Sequence, residues 1–223
     1  MPSALGVIQW CDRALGGAIV IIKPLALWLR GHPGRHNNAM DRQNCIKTIS
    51  AHTPFNEQEA DSITATLAFL DGQTRFWQRD NYIGHLTASA WVVNATRSHV
   101  LLTHHRKLNR WLQVGGHVEE GDGSLLEAAL REAREECGIQ AIAPLQTTIF
   151  DIGHHPINTA KEQPHVHYDL RFLLVAQDME FAVSEESYAL GWFALDEVPT
   201  ISDSAALHRM TRKLAGQSLS PSL

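Results

Sequence analysis

The chain has 223 residues, 44% of them hydrophobic and 19% charged, and a formal net charge of −5. That suits one medium-sized domain with additions at an end, and the acidic balance without a basic stripe disfavours a role on long nucleic acid. Three widely spaced cysteines, Cys11, Cys45 and Cys137, form neither a disulfide framework nor a zinc spacing, so a reducing cytoplasm is the expected compartment.

Residues 1–39 differ from the rest. The stretch 14–29 is largely apolar, but Gly16, Gly17, Lys23 and Pro24 interrupt it. It falls short of the roughly 20 apolar residues a spanning helix needs, and it lacks the basic flank of a secretory signal. Two readings stand: an extension upstream of a start at Met40, and a peripheral membrane contact through residues 14–29. Residues 40–80 read as a helical segment. Asn56 is an N-cap for a helix over 57–70, where Ile63, Leu67 and Leu70 recur at helical spacing, and Asp71-Gly72 stops it.

From Gly84 the pattern turns to strands. Residues 86–93 and 99–103 are apolar runs joined by a turn over 94–97. Residues 111–114 make a short strand leading into Gly115. After a central helix, 141–150, 166–175 and 190–195 read as further strands. Ser202 caps a last helix reaching Ala215, with Gly216 behind it. Residues 151–163 read as a long loop carrying Pro156, and long loops in compact domains are frequently binding elements. Strands around one central helix, closed by a terminal helix, make a mixed α/β sandwich over 81–217, followed by a tail over 218–223.

The densest chemistry lies in residues 115–139. Glu132, Glu135 and Glu136 sit at i, i+3 and i+4, so a helix stacks their carboxylates on one face. Like charges there weaken a bare helix, and a hard divalent cation is the usual reason to tolerate them. Ser124 and Glu127 suggest a capping box, and Gly138 a C-terminal stop. Leu126, Ala129, Leu130, Ala133 and Cys137 give the helix an apolar face. Arg131 can pair one turn away with Glu127 or Glu135. Glycines at 115 and 116 let backbone carbonyls approach a metal or phosphate closely.

This stretch resembles the Nudix box, the signature of the Nudix hydrolases: Gly, five residues, Glu, seven residues, Arg-Glu, an aliphatic, any residue, Glu-Glu, any residue, Gly, aliphatic. Gly116 matches the first Gly, and Arg131-Glu132, Glu135-Glu136, Gly138 and Ile139 match the second half. Asp122 stands where the family has its first Glu, and eight residues rather than seven separate it from Arg131. The resemblance runs from about residue 84 to about 214. It implies an α/β/α sandwich with a mixed sheet, Mg²⁺ or Mn²⁺ held by Glu132, Glu135, Glu136 and the Gly115 carbonyl, and catalysis resting on Glu135 and Glu132 with Arg131. The implied reaction cleaves an acid anhydride in a small nucleoside diphosphate derivative, with Glu135 or a late-loop glutamate as base. A regulatory domain that binds nucleotides without turnover, and a diphosphate isomerase of the same fold, are the alternatives. A homodimer is compatible with the resemblance.

Other residues could read the rest of a substrate. The strand over 165–175 alternates: Val166, Tyr168, Leu170, Phe172 and Leu174 on one face, His165, His167, Asp169 and Arg171 on the other. The polar row reads either as a solvent face or as a ligand cleft, with Arg171 matched to phosphate oxygens. His117, next to the box glycines, and Glu185-Glu186, before the last strand, are further candidates against solvated alternatives. Glu119 and Glu120 have the same status.

Overall fold

The computed structural model describes residues 40–158, 163–185 and 187–216. The expectations for residues 1–39, for the tail 218–223 and for Glu186 lie outside the described residues. Two helices come first, α1 (Arg42–Ser50) and α2 (Glu57–Leu70). Asn56 caps α2 as expected, its Oδ1 accepting from Glu59 N at 3.0 Å. Its buried face is more polar than expected, however: Glu59, Ser62 and Thr66 are buried beside Phe69 and Leu70, while Ile63 and Leu67 are only partly covered.

The sheet follows: β1 (Gly84–Val93), β2 (His99–His105), β3 (Arg110–Leu112), β4 (Val114–His117), β5 (Ile142–Pro144), β6 (Asp151–Ile157), β7 (His165–Ala176) and β8 (Ser187–Ala194). The central helix α3 (Leu125–Cys137) lies between β4 and β5, and α4 (Val198–Ile201) and α5 (Ala205–Gly216) close the chain. β1 and β7 run parallel from Gly84↔Val166 to Val93↔Val175. The other pairings are antiparallel: β1 with β2 and β4, β2 with β3 and β8, β7 with β5 and β6. The sheet is therefore mixed, and helices cover both of its faces, as the α/β/α expectation requires.

Every residue of β1 is buried, because each of its faces is covered. Leu86, Ala88, Ala90 and Val92 join α3 and residues of α1 and α2 in one core. Trp91 and Val93 join Leu173, Val175, Leu207, Met210 and Leu214 in the second, under α5. Among the described residues no helix is long and apolar enough to cross a membrane.

Three sequence expectations are corrected. Most of 151–163 is not loop: Asp151 to Ile157 form β6, paired along its length with β7. Gly153, two histidines and Pro156 mask the strand, and a proline is tolerated because β6 pairs on only one side among the described residues. The strand expected over 141–150 shrinks to β5, Ile142–Pro144. Ser202 does not open the last helix; it ends α4, and its hydroxyl donates to the Trp111 carbonyl.

Candidate active site

The box is a strand, a loop and a helix held together by one guanidinium. Arg131 Nε donates to Asp122 Oδ1 at 3.0 Å and its Nη2 to Oδ2 at 2.9 Å. The same Nη2 donates to the His117 carbonyl of β4 at 2.8 Å, and Nη1 reaches Glu132 and Glu135, each at 3.0 Å. The Asp122 hydrogen bonds, followed by the charge of Glu132, push the guanidinium's pKa above its ordinary value. Asp122 thereby explains the departure in the first half of the box. Its carboxylate clamps Arg131 and also accepts from Glu119 N at 2.8 Å, which closes the loop that carries the extra residue.

Local chemistry sets where α3 begins and ends. Ser124 Oγ accepts from Glu127 N at 3.1 Å. The Glu127 carboxylate accepts from Gly123 N at 3.1 Å, one residue beyond the reach of an ordinary capping box, so it does not pair with Arg131. Gly138 closes the helix in the left-handed conformation, φ 71°, as its position at the C-terminus requires.

The glutamates divide by environment. Glu136 is buried, and its Oε1 accepts from Gly115 N at 3.3 Å. Glu132 lies against Gly116, where a Cβ would stand 2.7 Å from its Oε2. A residue larger than glycine at 116 would displace that carboxylate. Glu135 is the outermost, its side chain 61% exposed. Among the described residues the ligand atoms of Glu132, Glu135 and Glu136 do not all fall within 4.8 Å of one another. An ion held by them and the Gly115 carbonyl would draw them closer, and an oxygen-only set of that kind suits a hard divalent ion. All three nitrogens of Arg131 are engaged within the protein.

β4 also separates two surroundings. Gly116 faces Glu132, whereas a Cβ on Gly115 (φ 141°) would meet Ser89, and the His117 ring lies 5.1 Å from those of His85 and His167. Along β7 that second face changes character in steps. Leu173 and Val175 are apolar core. Asp169 and Arg171 are buried and ion-paired, Nε to Oδ2 at 2.7 Å. Thr87, Ser89 and Gln113 also donate to Asp169. Arg171 Nη1 donates to Asp151 at 2.6 Å, and its guanidinium fills the space that Gly153 leaves.

The expectation that Asp169 and Arg171 line a substrate cleft is therefore corrected. Each charge is committed to a buried partner, and drawing either one away to a ligand would leave the other uncompensated. Beyond them stand His165 and His167, half-buried beside His85 and His155. Burial, then neighbouring positive charge, lowers the pKa of His117 to about 3 and of His167 to about 2. Glu185 is exposed in the turn before β8.

Sequence reasoning missed His85 and the buried charges. Asp151 accepts from Arg209 Nε at 2.7 Å and lies 3.0 Å from Lys213 Nζ, and Glu59 accepts from Lys213, His52, Phe55 N and Ile152 N. Burial opposes the ionised Glu59 carboxylate, but the bonds from His52 and Lys213 dominate and hold its pKa at about 2. A cleft of about 950 Å³ beside α1 and the 146–150 segment shares no residue with the box.

The box residues form a strand–glycine–helix unit in which Arg131 holds Glu132 and Glu135, and a NUDIX domain family model matches residues 84–214. The chain belongs to the NUDIX family. It is 34% identical over 107 residues to the asymmetrical bis(5'-nucleosyl)-tetraphosphatase of Mus musculus, covering 47% of this chain and 69% of that protein. The Rattus norvegicus protein of the same name is 32% identical over 107 residues, covering 48% and 70%. A crystal structure of a NUDIX family hydrolase from Clostridium perfringens aligns over 59% of this chain and 96% of its own, at 24% identity and a TM-score of 0.46. As a NUDIX protein that keeps the three glutamates of the box's second half, the chain is a pyrophosphohydrolase.

Proposed function

We propose that this NUDIX enzyme hydrolyses a phosphoanhydride bond in a nucleoside diphosphate joined to a second group, with Mg²⁺ or Mn²⁺ at the box. Dinucleoside polyphosphates are the first substrate class to test, because the mouse and rat relatives carry a tetraphosphatase name. The observation that carries the reading is the five-contact brace at Arg131, which fixes Glu132 and Glu135 relative to β4.

Glu132, Glu136, Glu135 and the Gly115 carbonyl would hold the ion. When bound, it supplies countercharge to the diphosphate oxygens and acidifies a water. Glu135, the most exposed of the three, takes the proton from the attacking water, with Glu185 as the second candidate base. Arg131 holds Glu132 and Glu135 in aim. Glu136, tied to Gly115 N, keeps the strand and the helix in register.

The test is a panel of dinucleoside polyphosphates, nucleotide sugars, ADP-ribose and oxidised nucleoside triphosphates, with Mg²⁺ and with Mn²⁺, followed for released nucleotide and phosphate. Turnover of at least one compound, abolished by chelation, is expected. No turnover of any compound with either ion would return the chain to binding without hydrolysis.

A further inference from the structure

The imidazoles on the second face of β1 and β7 belong to none of the box chemistry. A His-x-His pair on one strand points both rings to the same side, and the parallel register sets His85 of β1 directly beside His167 of β7. The ring centroids of His85, His165 and His167 lie 4.7–5.0 Å apart. One ligand nitrogen from each can be chosen so that all three fall within 4.8 Å of one another. Among the described residues no other group of histidine, cysteine or acidic side chains meets that condition.

We infer that His85, His165 and His167 form a site for a nitrogen-preferring divalent cation of the zinc class, separate from the carboxylate box. Zinc binds imidazole at about 2.0–2.1 Å, so two ligands of a tetrahedral ion stand about 3.3 Å apart. His165 Nε2 and His167 Nε2 are already 3.0 Å apart. His85 needs to close a gap of at most about 1.5 Å to complete the set. The backbone prepares two of the three. His165 Nδ1 lies 2.7 Å from the Gln163 carbonyl, and His85 Nδ1 lies 3.5 Å from that of Asn81. A proton on each Nδ1 leaves Nε2 as the lone-pair nitrogen, the arrangement that orients metal-bound histidines. With His165 Nε2 accepting, His167 Nε2–H is the donor between them, and binding requires His167 to move its proton to Nδ1.

Imidazole selects zinc-class ions over magnesium, whereas carboxylate and carbonyl oxygens do the reverse. The two sites therefore sort ions by ligand chemistry. The site gives His165 and His167 a role distinct from direct substrate contact, and it stands whether or not the box turns over a nucleotide.

The test uses the full chain, stripped with a chelator, with excess Mg²⁺ to fill the box, then titrated with Zn²⁺ or Co²⁺. One equivalent taken up, with a rise in Tm, is expected. His165→Gln and His167→Gln, which alter half-buried positions, should each weaken uptake by at least about tenfold. No uptake under excess Mg²⁺, or uptake by both variants equal to that of the wild-type chain, overturns the site. X-ray absorption on the Co²⁺-loaded wild-type chain needs no variant. Scattering from at least two imidazoles supports the assignment, and an oxygen-only shell refutes it.

Discussion

Arg131→Lys tests the brace with the least disturbance, because the positive charge stays and the planar fork goes. The fork makes two bonds to Asp122, one each to Glu132 and Glu135, and one to the His117 carbonyl. A lysine ammonium cannot reproduce the parallel pair on Asp122 while reaching β4. Hydrogen bonds to charged groups contribute about 1.5–3 kcal/mol each, and that full range suits Asp122, whose side chain is only 6% exposed. The Glu135 contact is mostly in solvent and contributes little. Losses within one network do not add, so the expected destabilisation is about 2–4 kcal/mol, a fall in Tm of about 5–15 °C for a domain of this size. Because the glutamates lose their aim rather than their charge, kcat should fall about 10- to 100-fold while KM changes less. The assays are thermal unfolding and steady-state kinetics on the best substrate of the panel, with Asp122→Asn completing a double-mutant cycle. A kcat within threefold of wild type, together with additive stability losses, would refute the brace.

Glu135→Gln and Glu136→Gln should each cut turnover by orders of magnitude while leaving the circular dichroism spectrum and cooperative unfolding intact; near-normal hydrolysis by both would sink the assignment. Gly116→Ala should lower activity more than stability, since the new methyl meets the Glu132 carboxylate at 2.7 Å, and unchanged kcat would show that Glu132 is free to move. Glu59 governs acid stability. Its pKa is depressed from an ordinary 4.5 to about 2, so its stabilising share is complete above pH 4.5 and is lost as pH falls toward 2. The full span is worth about 3 kcal/mol. Urea midpoints from pH 6 to pH 2.5 should slope downward for wild type and less so for Glu59→Gln, and parallel slopes would disprove the role.

What was legible in the sequence follows from the range of each interaction. The N-caps Asn56 and Ser124, the Gly138 stop and the alternation along β7 rest on neighbours within a few residues, and those readings match the structure. The extra residue in the box loop was visible, but the job of Asp122 was not, since it depends on which side chain the loop turns toward Arg131. Asp169 and Arg171 were assigned to the correct face and misread in role. Arg171's second partner, Asp151, is 20 residues away on a strand disguised by Gly153 and Pro156, and Arg209 closes the network from α5. His85 became chemically interesting only through its register with His167, which no local pattern encodes.

The bond between Lys213 and Glu59 has a practical consequence for where this enzyme can be cut. In the interior Arg171, Arg209 and Lys213 face Asp151, Asp169 and Glu59, three cations against three carboxylates. A fragment beginning at Gly84, where family similarity starts, would retain every box residue and discard Glu59. It would leave three cations against two carboxylates and strip the α2 cover from Lys213 and the Ile152 amide. The loss is of packing and of charge balance on that face of the sheet. The shortest portion fit for expression or transplantation therefore includes α2, and homology would place the scissors on the wrong side of it.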